Sequence, residues 1–123
     1  MFANGRGVDL NMDHHREANY STLFSNLDCG AGTRPFDSGG SGNRGAHSGA
    51  YSTFWNVRAT RSLKAPPKDF GPLLNFIGCV LEGTEPPSPY DWFVEQGSVC
   101  PTELQEAMRR ARLHQLKIQG ALD

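Results

Sequence analysis

The chain has 123 residues, 37% hydrophobic and 20% charged, enough for one small domain. Twelve Lys and Arg against thirteen Asp and Glu leave a net charge of −1. The two signs are interleaved, which gives no electrostatic case for wholesale nucleic-acid binding. No apolar run approaches the about 20 residues that cross a bilayer, and the first ten residues lack the basic stretch and apolar core of a secretory signal. Neither nucleic acid nor membrane is therefore expected as a partner.

Fourteen Gly and eight Pro make the chain rich in turns. In chain order, Val8, Leu10 and Met12 alternate with polar neighbours and predict a strand over 7–13 with one buried face. Asp13-His14-His15-Arg16-Glu17 follows and is the densest chemistry in the sequence. Adjacent residues on an extended backbone point to opposite faces, so both histidines can serve one site only where the strand gives way to a loop. At such a transition, a histidine, an arginine suited to carboxylate or sulfate, and carboxylates that orient them read as acid/base or charge-stabilising groups. His14, His15 and Arg16 are the candidate catalytic residues on that reading. Two alternatives stand beside it. Asp13, His14 and His15 could hold a metal together with His47, although paired histidines are a weak ligand signal. Or one histidine is buried and hydrogen-bonded and the other exposed.

Further strands are expected over 21–27, 52–57 and 73–81. The second and third resemble each other: Tyr20-Ser21-Thr22 and Tyr51-Ser52-Thr53 open two similar stretches at an offset of 31, each with an aromatic and then Asn26 or Asn56 before an aliphatic residue. Asn75 recurs among apolar residues further on. Internal similarity at this period points to a solenoid or array. Between the copies, the segment from Gly30 to His47 is too glycine-rich for a helix or long strand. It carries Arg34, Phe36, Arg44 and His47, more chemistry than a spacer needs, and is expected to lie as a loop over the edge of a scaffold. If it folds beside Arg16, then Arg34, His47, Tyr20 and Tyr51 would bind substrate, with arginine forks for carboxylates and tyrosine faces for stacking.

Cys29, Cys79 and Cys100 form neither a disulfide framework nor a metal knuckle; two buried thiols and one exposed thiol are expected. Phe54 and Trp55 are neighbours, so one belongs to the core and the other to the opposite face. Ala65–Lys68 and Glu85–Pro89 are stiff proline connectors, and Tyr90–Glu95 reads as an aromatic cap over an exposed core. A helix is expected over 101–119, with Pro101 in the first turn, Thr102 and Gln105 as a capping box, and an apolar stripe of Leu104, Ala107, Met108 and Ala111. Glu106 and Arg110 form an i,i+4 pair, and the arginine cluster is a solvated face. There is no phosphate-binding Gly-Lys-Ser/Thr, no nucleophile elbow and no zinc-binding His-x-x-x-His. The sequence leaves the cofactor unknown.

The run from Val8 to Gly40, with Asp13-His14-His15-Arg16 and Leu23-Phe24-x-Asn26, and the run from Gly45 to Val57 together resemble the C-terminal coils of large right-handed parallel β-helix proteins of the pectate-lyase-like superfamily. The resemblance covers residues 7–58 and, more loosely, 90–113, where Trp92–Glu95 and Pro101-x-x-Leu104 lead into an arginine-rich helix. It implies an all-β fold: a partial right-handed parallel β-helix over 1–100, with the glycine-rich loop at 30–49, and a short C-terminal α-helix over 101–119. With about 20–30 residues per coil, some two to three coils fit. It further implies a secreted or surface carbohydrate-active protein of polysaccharide lyase or glycoside hydrolase type, with Arg16 and Arg34 placed for charge roles on an anionic polysaccharide. Such β-helices are several times larger. The expectation is accordingly a C-terminal part that needs upstream coils and is not active alone. The competing expectations are a non-catalytic β-solenoid for adhesion or glycan binding, and a small metal-binding domain.

Overall fold

The computed structural model describes residues 1–16, 19–45, 47–48, 50–67, 70–83 and 91–120. Glu17, Lys68, the connector Glu85–Pro89 and Tyr90 lie outside the described residues. The fold is mostly sheet: β1 (Phe2–Ala3), β2 (Leu23–Asp28), β3 (Thr53–Arg58), β4 (Asn75–Ile77) and β5 (Phe93–Glu95) form one sheet in chain order, followed by helix α1 (Leu104–Ile118). Every neighbouring pair is parallel. Consecutive parallel strands force the chain to travel round and return to the same side after each strand.

The register makes successive passes superimpose. Phe2, Phe24, Phe54, Phe76 and Val94 are partners across the sheet. The four phenylalanines stack with ring centroids 5.1, 5.3 and 4.9 Å apart, near-parallel at each step, and Phe54 and Phe76 are fully buried. Three residues further along, Leu27 lies beside Val57. These chains of apolar contact supply the burial that holds the sheet.

Left-handed residues recur at matching positions, two residues before β2, β3, β4 and β5 and two residues past each stacked phenylalanine. Ser21, Tyr51, Leu73 and Asp91 have φ of 52°, 63°, 51° and 52°, and Asn4, Asn26, Asn56 and Gly78 have φ of 59°, 54°, 51° and 68°. Asparagine and glycine tolerate this region best. The same bend at the same register explains why the passes stack. Asn26 Nδ2 donates to Asn4 Oδ1 (2.8 Å), and Asn56 Nδ2 donates to Asn26 Oδ1 (3.2 Å), so the corner is laced by a side-chain amide ladder. Asn56 also donates to the Thr102 carbonyl at 3.0 Å, where the ladder stops and glycine takes over at Gly78.

Several sequence expectations change. The strand expected over 7–13 is an irregular segment, and Val8 is 91% exposed. It nevertheless rides on the next pass, through Leu10 N–H to Cys29 C=O and Met12 N–H to Pro35 C=O at 3.0 and 2.8 Å. The strands expected over 21–27 and 52–57 form, but the one over 73–81 shortens to Asn75–Ile77, because Gly78 turns the chain. The repeat offset is 30, with Leu23 opposite Thr53; this brings the aromatic and asparagine positions into line and shifts the tyrosines apart. Phe36 of the glycine-rich segment is buried edge-on against Phe54, Phe70 and Phe76. Phe54 is core, and Trp55 donates to the Pro101 carbonyl at 2.7 Å. Cys29 and Cys79 are buried, Cys100 is exposed and all three are free. Burial pushes the thiols of Cys29 and Cys79 up to about 11 and about 12.

At the far end of the sheet, Trp92 packs on Phe76 with ring centroids 5.3 Å apart and donates to the Gly71 carbonyl. The helix begins later than expected. Its N-cap is Glu103, whose carboxylate accepts from Gln105 N–H and Glu106 N–H, so Thr102 forms no capping box. Leu104 N–H donates to the buried Ser25 hydroxyl at 2.9 Å. None of the helix's residues is buried and Met108 is 59% exposed, so the expected apolar stripe covers no core. The Glu106–Arg110 pair forms, joined by Arg109.

Candidate functional site

Asp13–Arg16 and the segment around His47 meet at one loop cluster. Three side-chain anchors explain how the glycine-rich segment reaches the earlier chain. Asn11 Nδ2 donates to the carbonyls of Arg34 (2.7 Å) and Asp37 (2.6 Å), the Ser38 hydroxyl accepts from His14 N–H (3.1 Å), and Asp13 Oδ1 accepts from Gly39 N–H (3.1 Å). Glycine is required at the contact itself. A Cβ on Gly39 would sit 2.8 Å from the His15 ring, and one on Gly40, where φ is +94°, would sit 2.7 Å from the His15 carbonyl oxygen.

His15 and Arg16 are consecutive left-handed residues, with φ of 54° and 68°. Such non-glycine pairs are uncommon and persist where surrounding contacts hold them. Here the turn sends the two histidines to different environments. His15 is exposed, and Asp13 grips it twice: Oδ1 accepts its backbone N–H (2.9 Å) and Oδ2 pairs with ring Nδ1 (2.7 Å). A carboxylate that accepts from Nδ1–H fixes the ring's tautomer and leaves the lone pair on Nε2. Asp13 is itself held below the ordinary aspartate range: burial, the largest single influence, raises it, and hydrogen bonds from the His15 ring, Gly39 N–H and His15 N–H together outweigh that.

His14 is buried. Its ring lies 5.2, 5.8 and 5.3 Å from those of Phe24, Phe54 and Phe70. Nδ1 donates to the Met12 carbonyl at 2.9 Å, which leaves the lone pair on Nε2 without a partner among the described residues. Burial is the main reason its pKa is pushed down, against the smaller opposing pull of the Met12 carbonyl. A ring in this nest does not reach a bound substrate, so His14 leaves the set of candidate catalytic groups and joins the core.

Arg16 does converge with His47, as the substrate-binding reading requires. Its guanidinium donates from one terminal nitrogen to the Gly45 carbonyl and from the other to His47 Nε2 (2.9 Å), and its backbone N–H donates to the His47 carbonyl. Arginine has no acceptor, so His47 Nε2 carries the lone pair. The His47 ring stacks on Phe70 at 6.1 Å. Asn19 ties the two segments together, donating to the carbonyls of His14 (2.6 Å) and His47 (3.3 Å). Arg16 Nε and His47 Nδ1 are buried without a hydrogen-bond partner among the described residues. Buried polar atoms left in that state are costly and mark places where a water or ligand atom completes the set.

The remaining candidates lie elsewhere. Arg34 is exposed beside Asp9, whose carboxylate takes the Thr33 hydroxyl and N–H; among the described residues the hydrogen bonds of Arg16 and His47 do not include it. Tyr20 and Tyr51 are 65% and 61% exposed, but Tyr51 is level with Ser21, so they are not equivalent positions of one stacking face. Among the described residues no three His, Cys, Asp or Glu are grouped to hold a metal ion, and no helix is long and apolar enough to cross a membrane.

A second polar feature went unread in the sequence. A groove of about 280 Å³ is lined by Asn4, Gly5, Arg6, Asn26, Asp28 and Arg58. Its signal is the pattern Phe-x-Asn-x-Arg/Asp at residues 2–6, 24–28 and 54–58. No protein-family model, no curated protein and no solved structure matches this chain. The case for function therefore rests on its own residues.

Proposed function

We propose that the chain forms coils of a right-handed parallel β-solenoid and binds an anionic polysaccharide, with Arg16, His47 and His15 as the recognition cluster. The observation that carries this reading is the coupling of Arg16 to His47 beside the Asp13–His15 pair on one loop face. Two buried polar atoms there have no hydrogen-bond partner among the described residues, and an arginine with a histidine suits the carboxylate or sulfate of an acidic sugar. The matching left-handed corners and the register of the strands support the solenoid part. On this reading the protein acts at the cell surface or outside the cell, and catalysis as a lyase or hydrolase needs groups supplied by neighbouring coils. The Asp13–His15 pair favours one further role within it, proton transfer to or from the bound sugar.

The test is affinity electrophoresis and calorimetry of the full chain against a polyuronate, with a neutral glucan as control. The expected result is salt-sensitive binding of the polyuronate alone, weakened about tenfold or more by Arg16→Gln, since a charge-assisted pair is lost. His14→Phe is expected to leave the affinity unchanged. Equal binding of both polymers, or wild-type affinity in Arg16→Gln, overturns the proposal. Ultraviolet absorbance of unsaturated sugar ends, lost in His15→Ala, would mark elimination; binding without it leaves the adhesion reading.

A further inference from the structure

Among the described residues no strand pairs with the outer edge of the sheet, at β1. Phe2 stacks on Phe24 with one face and is 60% exposed. Beside it lies an apolar cavity of about 460 Å³, walled by Phe2, Leu10, Met12, Phe24 and Leu27. An unpaired parallel edge next to an open apolar cavity is a template for another strand.

The rungs specify what that strand must carry. Three ladders run through β1 to β3 in register: Phe2, Phe24 and Phe54; Asn4, Asn26 and Asn56; and Arg6, Asp28 and Arg58. The first repeats an aromatic, the second repeats an amide, and the third alternates in sign. At the open edge the charge ladder ends on Arg6, so the complementary next rung is acidic. We infer that the β1 edge docks an extended polypeptide segment of the pattern Phe/Tyr-x-Asn-x-Asp/Glu, added as a parallel strand in the same register.

A second copy of the chain fits poorly as the occupant. Its last strand would present Val94, Gln96 and Ser98 at the three rungs, with neither aromatic nor acid. Residues 24–28 are the only stretch of the sequence with the required pattern, and they lie inside the sheet between β1 and β3. The occupant is therefore a different polypeptide segment. The inference stands on the sheet register alone and is independent of the glycan reading.

The pattern can be tested with a blocked peptide that copies residues 22–28, titrated into the isotopically labelled full chain at low salt and followed by amide chemical shifts. A second peptide carries Asp28→Arg. The expected result is perturbation at residues 2–6 with residues 93–96 unmoved, and about threefold weaker binding of the Asp28→Arg peptide. Arg6→Glu in the protein is expected to reverse the order of the two peptides, and Phe2→Ala to weaken both. Unmoved signals in the β3 strand confirm that each variant is folded. Equal affinities for the two peptides, shifts confined to β5, or no shift at millimolar peptide overturn the inference. So does a concentration-dependent dimer of the free chain whose interface broadens residues 2–6, because a second copy would then be the occupant.

Discussion

His14 and His15 are neighbours in the chain with opposite surroundings, and the difference is testable by pH. The His14 ring sits among three phenylalanines with its pKa lowered from 6.5. Above pH 6.5 the ring is neutral in both the folded and unfolded chain. Below it the unfolded chain takes up a proton that the folded chain resists, so stability falls as pH drops from 6.5 toward the lowered folded value. His14→Phe removes that linkage. The thermal midpoint of the variant is expected to change less than that of the wild type between pH 7.5 and about pH 5, followed by calorimetry. An unchanged slope would mean that the ring is hydrated. That one of the two histidines is buried was among the readings open from the residues; which one was decided by the turn at His15 and Arg16, where two successive positive φ values direct the chain.

At the level of elements, the corners are a point of leverage. Asn26 combines a φ of 54° with hydrogen bonds to Asn4, Asn56 and Arg58. Asn26→Ala loses the ladder and places an alanine in the left-handed region, a loss of about 2 kcal/mol by urea unfolding. Asn26→Gly keeps the bend and loses the ladder only, and is expected to cost about half as much. Equal losses would assign the effect to the amides alone. The helix behaves differently, because it is docked by its first turn and otherwise exposed. Hydrogen bonds from Arg109 and Arg110 hold Glu106 down to about 2, from an ordinary 4.5. Its contribution is full above 4.5 and disappears as pH falls through about 2. Helical circular dichroism is expected to decline over that interval, and Glu106→Gln to lower it already at neutral pH while flattening the acid decline. The pairing of Glu106 with Arg110 was legible from spacing. The late start at Glu103 was not, because Trp55 and Asn56 hold the carbonyls of Pro101 and Thr102 and keep the preceding turn out of the helix.

For the whole molecule, stability is concentrated in the aromatic stack and diminishes toward its open edge. Phe54 is fully buried between Phe24 and Phe76 and meets Phe36 edge-on. Phe54→Ala is expected to cost about 3–5 kcal/mol, close to the total stability of a small domain. Phe2→Ala, at the exposed edge, is expected to cost about 1 kcal/mol or less. Chemical denaturation of both variants checks the gradient, and similar losses would show that the β1 edge is covered in solution.

The sequence alone was sufficient for the strands expected over 21–27 and 52–57, the terminal helix and the two buried thiols. In each case local pattern and burial agree, so spacing carries the information. Other features were set by the tertiary fold. The short edge strand at Phe2 has no period of its own and exists because Phe24 stacks on it. The repeat register of 30 follows from pairing across the sheet, where matching phenylalanines and asparagines outweigh matching tyrosines. Arg34 was separated from Arg16 because Asn11 pins the backbone of the glycine-rich segment while leaving the arginine side chain beside Asp9. Contacts between residues 20 to 30 positions apart leave no trace in a local window, and only their stacking determined which polar groups share a face.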